Sequence, residues 1–211
     1  IRGRLEKYPE IAIAEDEEGV AGFVFPTPHA CGRNRMVGLR FLTVGDRCRN
    51  KKLSTLLTGV VLVRAYRKYM AERVLPGGPR QLYVMARICN PKAYYTLTKG
   101  NAGVSPELGL GDPRALVAER ADIYRWMEPE LGLTHFDIST GLVADGAAAG
   151  TFGSSVPACI PDWCLVARML SQPPAYLHDD LLLLLQRLLV AGFHLRWRLV
   201  LNARQCCIQS L

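Results

Sequence analysis

The sequence predicts a mixed α/β fold: a sheet flanked by helices, with a crossover helix between its third and fourth strands. After it comes an extension of helices and a closing strand. Three observations predict this. Two short apolar runs are separated by an acidic turn, a third run leads through a basic loop into a long stretch of helical period, and a fourth leads into a shorter helix. The order is hairpin, strand, helix, strand, helix, and a strand–helix–strand step implies a crossover connection.

Each element has its own warrant. Ile11–Ala14 and Val20–Phe25 are rich in β-branched and aromatic residues, and Glu15-Asp16-Glu17-Glu18-Gly19 between them is a polar turn ending in glycine. Pro26, Pro28, Gly32 and Asn34 predict a loop, and Met36–Val44 a buried strand. From Leu53 the period changes: Leu53, Leu56, Leu57, Val60 and Val61 recur at helical spacing, and the helix runs to about Arg73 before Pro76-Gly77-Gly78-Pro79. Gln81–Ile88 reads as the fourth strand and Asn90 to Lys99 as a helix with Pro91 in its first turn. Beyond Gly103 the expectations are a helix over Arg114–Trp126 and a Gly/Ala-rich loop over Thr140–Ser155. Helices over Trp163–Leu170 and Leu177–Val190 follow, then a closing strand over Phe193–Leu201.

At 211 residues, 49% apolar and 21% charged, the chain can bury a sizeable core. No run approaches the ~20 apolar residues that span a bilayer. Leu181–Phe193 comes nearest, but Gln186 and Arg187 interrupt it, and it reads as a buried helix. The opening Ile-Arg-Gly-Arg lacks the apolar core of a secretory leader and an initiator methionine, so the start is expected to be a processed or trimmed end. Seven scattered cysteines without a CxxC pair point to free thiols in the cytoplasm or another reducing compartment. His29 and Cys31 have no second pair at zinc spacing, so no metal is expected. The net charge of +7 is unevenly placed: residues 31–100 hold fifteen lysines and arginines against Asp46 and Glu72, a balance of +13. Such a segment attracts a polyanion, whether nucleotide phosphates, RNA or an acidic partner; a solvated basic face is the plainer alternative.

The chemistry-bearing stretch follows the third strand. Gly45-Asp46-Arg47-Cys48 and Arg49-Asn50-Lys51-Lys52-Leu53-Ser54 lead from that strand into the apolar helix. Unpaired N–H groups and the dipole at a helix start favour phosphate, and basic residues there oppose the dipole unless an anion is bound. An exposed basic turn is the competing reading.

This stretch resembles the phosphate loop of the GCN5-related N-acetyltransferase superfamily, a strand followed by Arg/Gln-x-x-Gly-x-Gly/Ala and a helix. The resemblance places the motif's arginine on Arg49, its glycine positions on Lys52 and Ser54, and the residues between on Asn50, Lys51 and Leu53. Leu42, Thr43 and Val44 would then pair with the pantetheine arm of acetyl-CoA. Gln81–Ile88 with Asn90-Pro91-Lys92-Ala93-Tyr94-Tyr95 is similar to the family's next strand and its Asn-x-x-Ala helix, and the hairpin resembles its second and third strands down to the Gly-Phe at Gly22-Phe23. Phe-Leu-x-Val before Arg-x-Lys-Lys-Leu is also similar to protein N-myristoyltransferases within that superfamily. The resemblance covers residues 8–103 and implies a mostly antiparallel sheet. It also implies an acyl-CoA-binding core over 1–103, with 104–211 as an acceptor region on the same core.

It departs from the family in three ways. Both glycines are replaced, residues 1–10 leave no room for the family's first strand and helices, and the third strand carries no carboxylate. Asp46 and Glu15 are the remaining candidate bases; Tyr95 or Tyr94 is the candidate acid, with Leu97 where the family's tyrosine falls. The function implied is acyl-CoA-dependent N-acyltransfer to a primary amine. The alternative is a catalytically degenerate binding or structural subunit of a larger assembly, one that could contain RNA, with the basic 31–100 segment as the place for nucleic acid. No membrane partner is expected, and an oligomer is left open.

Overall fold

The computed structural model describes residues 10–49, 52–88, 91–98, 101–107, 119–131, 133, 135–143, 162–169, 194–199 and 208–209. They fall into two compact units, one drawn from Ile1–His29, Val37–Gly78 and Pro173–Leu211, the other from Ala30–Met36 and Pro79–Gln172.

In the first unit the strands β1 (Glu10–Asp16) and β2 (Gly19–Cys31) form the expected antiparallel hairpin about the acidic turn. The other edge of β1 pairs antiparallel with β9 (His194–Leu199), which bears out the closing strand, and β10 (Ile208–Gln209) pairs with β9. β3 (Asn34–Val44) lies beside β2. The loop expected over Pro26–Asn34 is mostly strand: β2 runs on to Cys31, and only Gly32 and Arg33 turn the chain. Proline is tolerated in a strand where its missing N–H is not needed, so Pro26 and Pro28 did not mark the end of β2.

Residues paired across β1 and β2 share a face, and the two faces differ in kind. Ala12, Ala14, Gly22 and Val24 make a shallow face, because Ala12 opposes Val24 and Ala14 opposes Gly22. The long helix α1 (Leu53–Arg73) packs there: a β-carbon on Gly22 would come within 3.2 Å of Leu57 and 3.4 Å of Leu53. The opposite face carries Ile11, Ile13, Phe23 and Phe25, joined by Phe41 of β3. Phe25 meets Phe23 and Phe41 edge-on, with ring centroids 5.6 and 6.1 Å apart, the arrangement aromatic quadrupoles favour.

The hairpin register slips between Ala14 and Glu15, where Ala14 opposes Gly22 but Glu15 opposes Val20. Ala21 is thus the extra residue of a β-bulge, and its carbonyl accepts the Gly45 amide at 2.8 Å, just past the end of β3.

In the second unit β4 (Leu82–Ile88) pairs antiparallel with β8 (Asp162–Arg168). β5 (Gly103–Ser105) and β7 (Leu142–Val143) pair with opposite ends of β8, and β6 (Phe136–Asp137) extends β7. The amide of Arg35 donates to Gln81 at 2.9 Å and that of Arg80 to Arg33 at 2.8 Å. The starts of β3 and β4 therefore lie side by side, as a crossover through α1 requires.

Helix α2 (Pro91–Thr98) packs against β4 and β8. Helix α3 (Arg120–Leu131) covers a cluster of Met36, Tyr83, Met85, Ile123, Tyr124, Met127, Phe136 and Val143. Three expectations are corrected here. Trp163–Leu170 is not a helix but the strand β8, because a short apolar run has no period of its own and pairing with β4 decides it. The helix expected over Arg114–Trp126 continues past Trp126 to Leu131; it is described from Arg120, and residues 114–118 lie outside the described residues. Leu142–Val143 is strand within the stretch expected to be loop. The Leu177–Val190 helix lies outside the described residues.

Candidate functional site

The candidate site grows from the end of β3. Phe41 adopts a left-handed backbone, φ 52°, in the strand interior. Further along the strand Leu42 and Val44 are half-buried, while Thr43 is exposed and its hydroxyl donates back to the Phe41 carbonyl at 3.2 Å. A non-glycine residue in this region breaks the regular pleat and costs about 1 kcal/mol or more. Its ring stands edge-on to Phe25, with centroids 6.1 Å apart. Nothing in the sequence distinguishes Phe41 from other strand residues, so this feature was not legible beforehand.

Past Gly45 the chain makes a single 3-10 turn, Asp46–Cys48, closed by the Cys48 amide on Gly45 at 2.9 Å and the Arg49 amide on Asp46 at 3.2 Å. Lys52 then stands at the N-cap of α1, also left-handed, φ 58° and ψ 17°. Its carbonyl accepts the Leu56 amide at 3.1 Å, the first bond of the helix. No side chain caps this terminus through Lys52, and the first turn holds no acidic residue. Helix geometry leaves the amides of Leu53, Ser54 and Thr55 without an intrahelical acceptor. A start with left-handed backbone, positive dipole and no carboxylate suits an anion.

The basic side chains around it differ in their engagement. Arg47 turns to the hairpin: its guanidinium bonds Asp16 and the Gly19 carbonyl (3.3 Å), and its Nε lies 3.4 Å from Glu18. The Asp16 carboxyl is held below its ordinary range, first by the bond from Arg47, against a smaller opposing effect of burial. Arg47 is pushed up correspondingly by Asp16. The buried Cys48 thiol lies 3.6 Å from the other Asp16 oxygen. Arg49 pairs with Asp46 at 2.6 Å, both well exposed. Lys52 is exposed, with no carboxylate partner among the described residues.

Of the residues singled out in the sequence, Glu15, Leu42, Thr43, Val44, Asp46, Arg49, Lys52, Leu53 and Ser54 belong to the first unit, and Tyr95 to the second. Asn50, Lys51 and Asn90 lie outside the described residues. Glu15 sits in β1 opposite Val20 and His194, and Leu53 is buried in the helix seat. In α2, Tyr94 is buried and donates to the Pro106 carbonyl at 3.1 Å, whereas Tyr95 is 52% exposed. Packing falls to Tyr94, and Tyr95 is the tyrosine open to a ligand. The described residues contain no cluster of three metal-ligating side chains. None of their helices is long and apolar enough to cross a membrane.

The described elements define a mixed α/β protein whose strands are mostly antiparallel and flanked by helices. Neither a protein-family model nor a curated protein sequence matches the chain. Among solved structures, the crystal structure of nourseothricin acetyltransferase is similar at 15% identity and a TM-score of 0.36. The match covers 77% of this chain, which spans 66% of that one.

Proposed function

We propose that the chain is an acyl-CoA-dependent N-acyltransferase, most simply one that carries acetyl from acetyl-CoA to a primary amine. The observation that carries this reading is the backbone of Lys52. The sequence resemblance puts a motif glycine at that position, and Lys52 has the left-handed conformation that glycine adopts without strain. The uncapped, carboxylate-free start of α1 next to it would take the pyrophosphate, with Arg49, Asn50, Lys51, Lys52 and Ser54 around it. The edge of Leu42–Val44 would take the pantetheine amides. Acetyl-CoA supplies an already activated thioester, so holding it and the amine in line can provide much of the rate. Asn90 and Tyr95 belong to the same proposal, Tyr95 as proton donor, with Glu15 or Asp46 as base.

One observation favours the second reading, a binding subunit without turnover: Asp46 is taken up in an ion pair with Arg49. Titration calorimetry with acetyl-CoA separates the two. Binding in the micromolar range, weakened about tenfold or more in Arg49→Ala and Lys52→Ala, supports the first-named site. No heat at millimolar acetyl-CoA refutes it. Binding without acetyl transfer to any of a panel of primary amines, and without loss in Tyr95→Phe, selects the second reading.

A further inference from the structure

We infer that the acidic hairpin tip positions the loop after β3, with Asp16 and Arg47 as positioning residues. Three links join the hairpin to this loop. The bulge at Ala21 offers its carbonyl to the Gly45 amide at 2.8 Å. Arg47 reaches back to Asp16, Glu18 and the Gly19 carbonyl at once. The Cys48 thiol, one residue on, meets the remaining Asp16 oxygen at 3.6 Å. Asp16 is itself aimed by the Glu18 amide at 3.1 Å, so one carboxylate gathers a guanidinium, a thiol and a backbone amide.

Exposed ion pairs add little to global stability, and the Arg47 and Asp16 side chains are 35% and 16% exposed. What such contacts govern is local opening of a short segment. The segment here is Gly45–Arg49, which ends three residues before the left-handed Lys52. Arg47 is therefore a strut and not an anion ligand, despite standing in the most basic part of the chain. The knot exists independently of any ligand. Its consequence for affinity rests on the acyl-CoA reading given above.

Amide hydrogen exchange on the whole chain tests the strut without a ligand. In Asp16→Asn and in Arg47→Met, exchange at Gly45, Cys48 and Arg49 should rise roughly threefold to tenfold, with Ala12 and Val24 in the ladder unchanged. The double variant should be no worse than either single one, because both remove the same interaction. Arg47→Lys should retain part of the protection. Unchanged exchange, or an equal rise across β1 and β2, overturns the inference.

The second arm compares acetyl-CoA with acetyl-pantetheine, which lacks the pyrophosphate. Asp16→Asn should weaken acetyl-CoA about tenfold and leave acetyl-pantetheine unaltered. Tighter acetyl-CoA binding would mean that freeing Arg47 creates a ligand, and overturns the strut. If the unsubstituted protein binds no acetyl-CoA, the acyl-CoA reading fails, and the exchange result alone still decides the strut.

Discussion

Gly22 sets the distance between the hairpin, the end of β3 and the first turn of α1. A β-carbon there would stand 2.9 Å from the Thr43 carbonyl oxygen, 3.2 Å from Leu57 Cδ1 and 3.4 Å from Leu53 Cδ2. The two leucine methyls can swing aside, but the Thr43 oxygen is backbone and can move only with the strand. Overpacking of this kind costs about 1–3 kcal/mol, against about 0.4–1 kcal/mol gained from a less flexible unfolded chain. Gly22→Ala should therefore destabilise by about 1–2 kcal/mol. For a chain of this size that lowers the melting temperature by about 2–8 °C, read by circular dichroism or calorimetry.

Gly45 is the internal control, one residue beyond β3. Its backbone is ordinary, φ −59° and ψ 148°, and a β-carbon would meet only the Ala21 carbonyl at 3.4 Å. Gly45→Ala should be neutral or stabilising by about 0.4–1 kcal/mol. If Gly22→Ala matches or exceeds the unsubstituted protein in stability, or if the two substitutions behave alike, the argued contact between β2, β3 and α1 is wrong.

Three further predictions address separate features. Lys52→Gly should stabilise the fold by up to about 1 kcal/mol, by relieving the left-handed backbone, while weakening acetyl-CoA about threefold to tenfold through the lost charge; denaturant titration and calorimetry would show opposite signs. Asp137 accepts bonds from Ser139 (hydroxyl 2.7 Å, amide 2.8 Å) and Thr140 (2.6 Å), and its pKa is lowered from 3.8 to about 2, chiefly by Thr140 and then Ser139. Its folded value lies below the unfolded one, so its contribution is present above pH 4 and lost as pH falls toward 2. Asp137→Asn should therefore lower stability at neutral pH, flatten the curve between pH 4 and 2, and converge on the unsubstituted protein as pH falls toward 2, as acid titration followed by fluorescence would show. Tyr83 is fully buried, and neither its hydroxyl nor Glu119 Oε2 has a partner of good hydrogen-bond geometry among the described residues. Burial, and then the nearby Glu119, push the phenol's pKa up. Tyr83→Phe should thus cost less than about 0.5 kcal/mol or stabilise, and a loss above about 1.5 kcal/mol in urea unfolding would show a real bond.

The first half of the chain was legible because its signals are local. Leu53–Arg73 has a helical period and a Pro-Gly-Gly-Pro stop, and the helix has those bounds. The hairpin announced itself through β-branched runs about an acidic turn. The resemblance puts a motif glycine at Lys52, and the backbone there is left-handed. Beyond Gly103 the apolar runs are short, and the same residues suit a helix or a strand. Only the partner decides: the residues of Trp163–Leu170 suit a helix on their own, and pairing with β4 makes Asp162–Arg168 a strand.

The roles of the charges were the least legible part. Composition shows fifteen basic residues between 31 and 100, but not which are spent on carboxylates. Asp16 and Arg47 are 31 residues apart in sequence and meet only because the hairpin tip folds beside the end of β3. By itself the sequence determined element types wherever a period or a turn was long enough to be read, and it located the loop that opens α1. Tertiary structure alone decided the strut between Arg47 and Asp16, the left-handed Phe41 and the seat at Gly22. Each of these depends on contacts between distant segments, and no local pattern encodes such a contact.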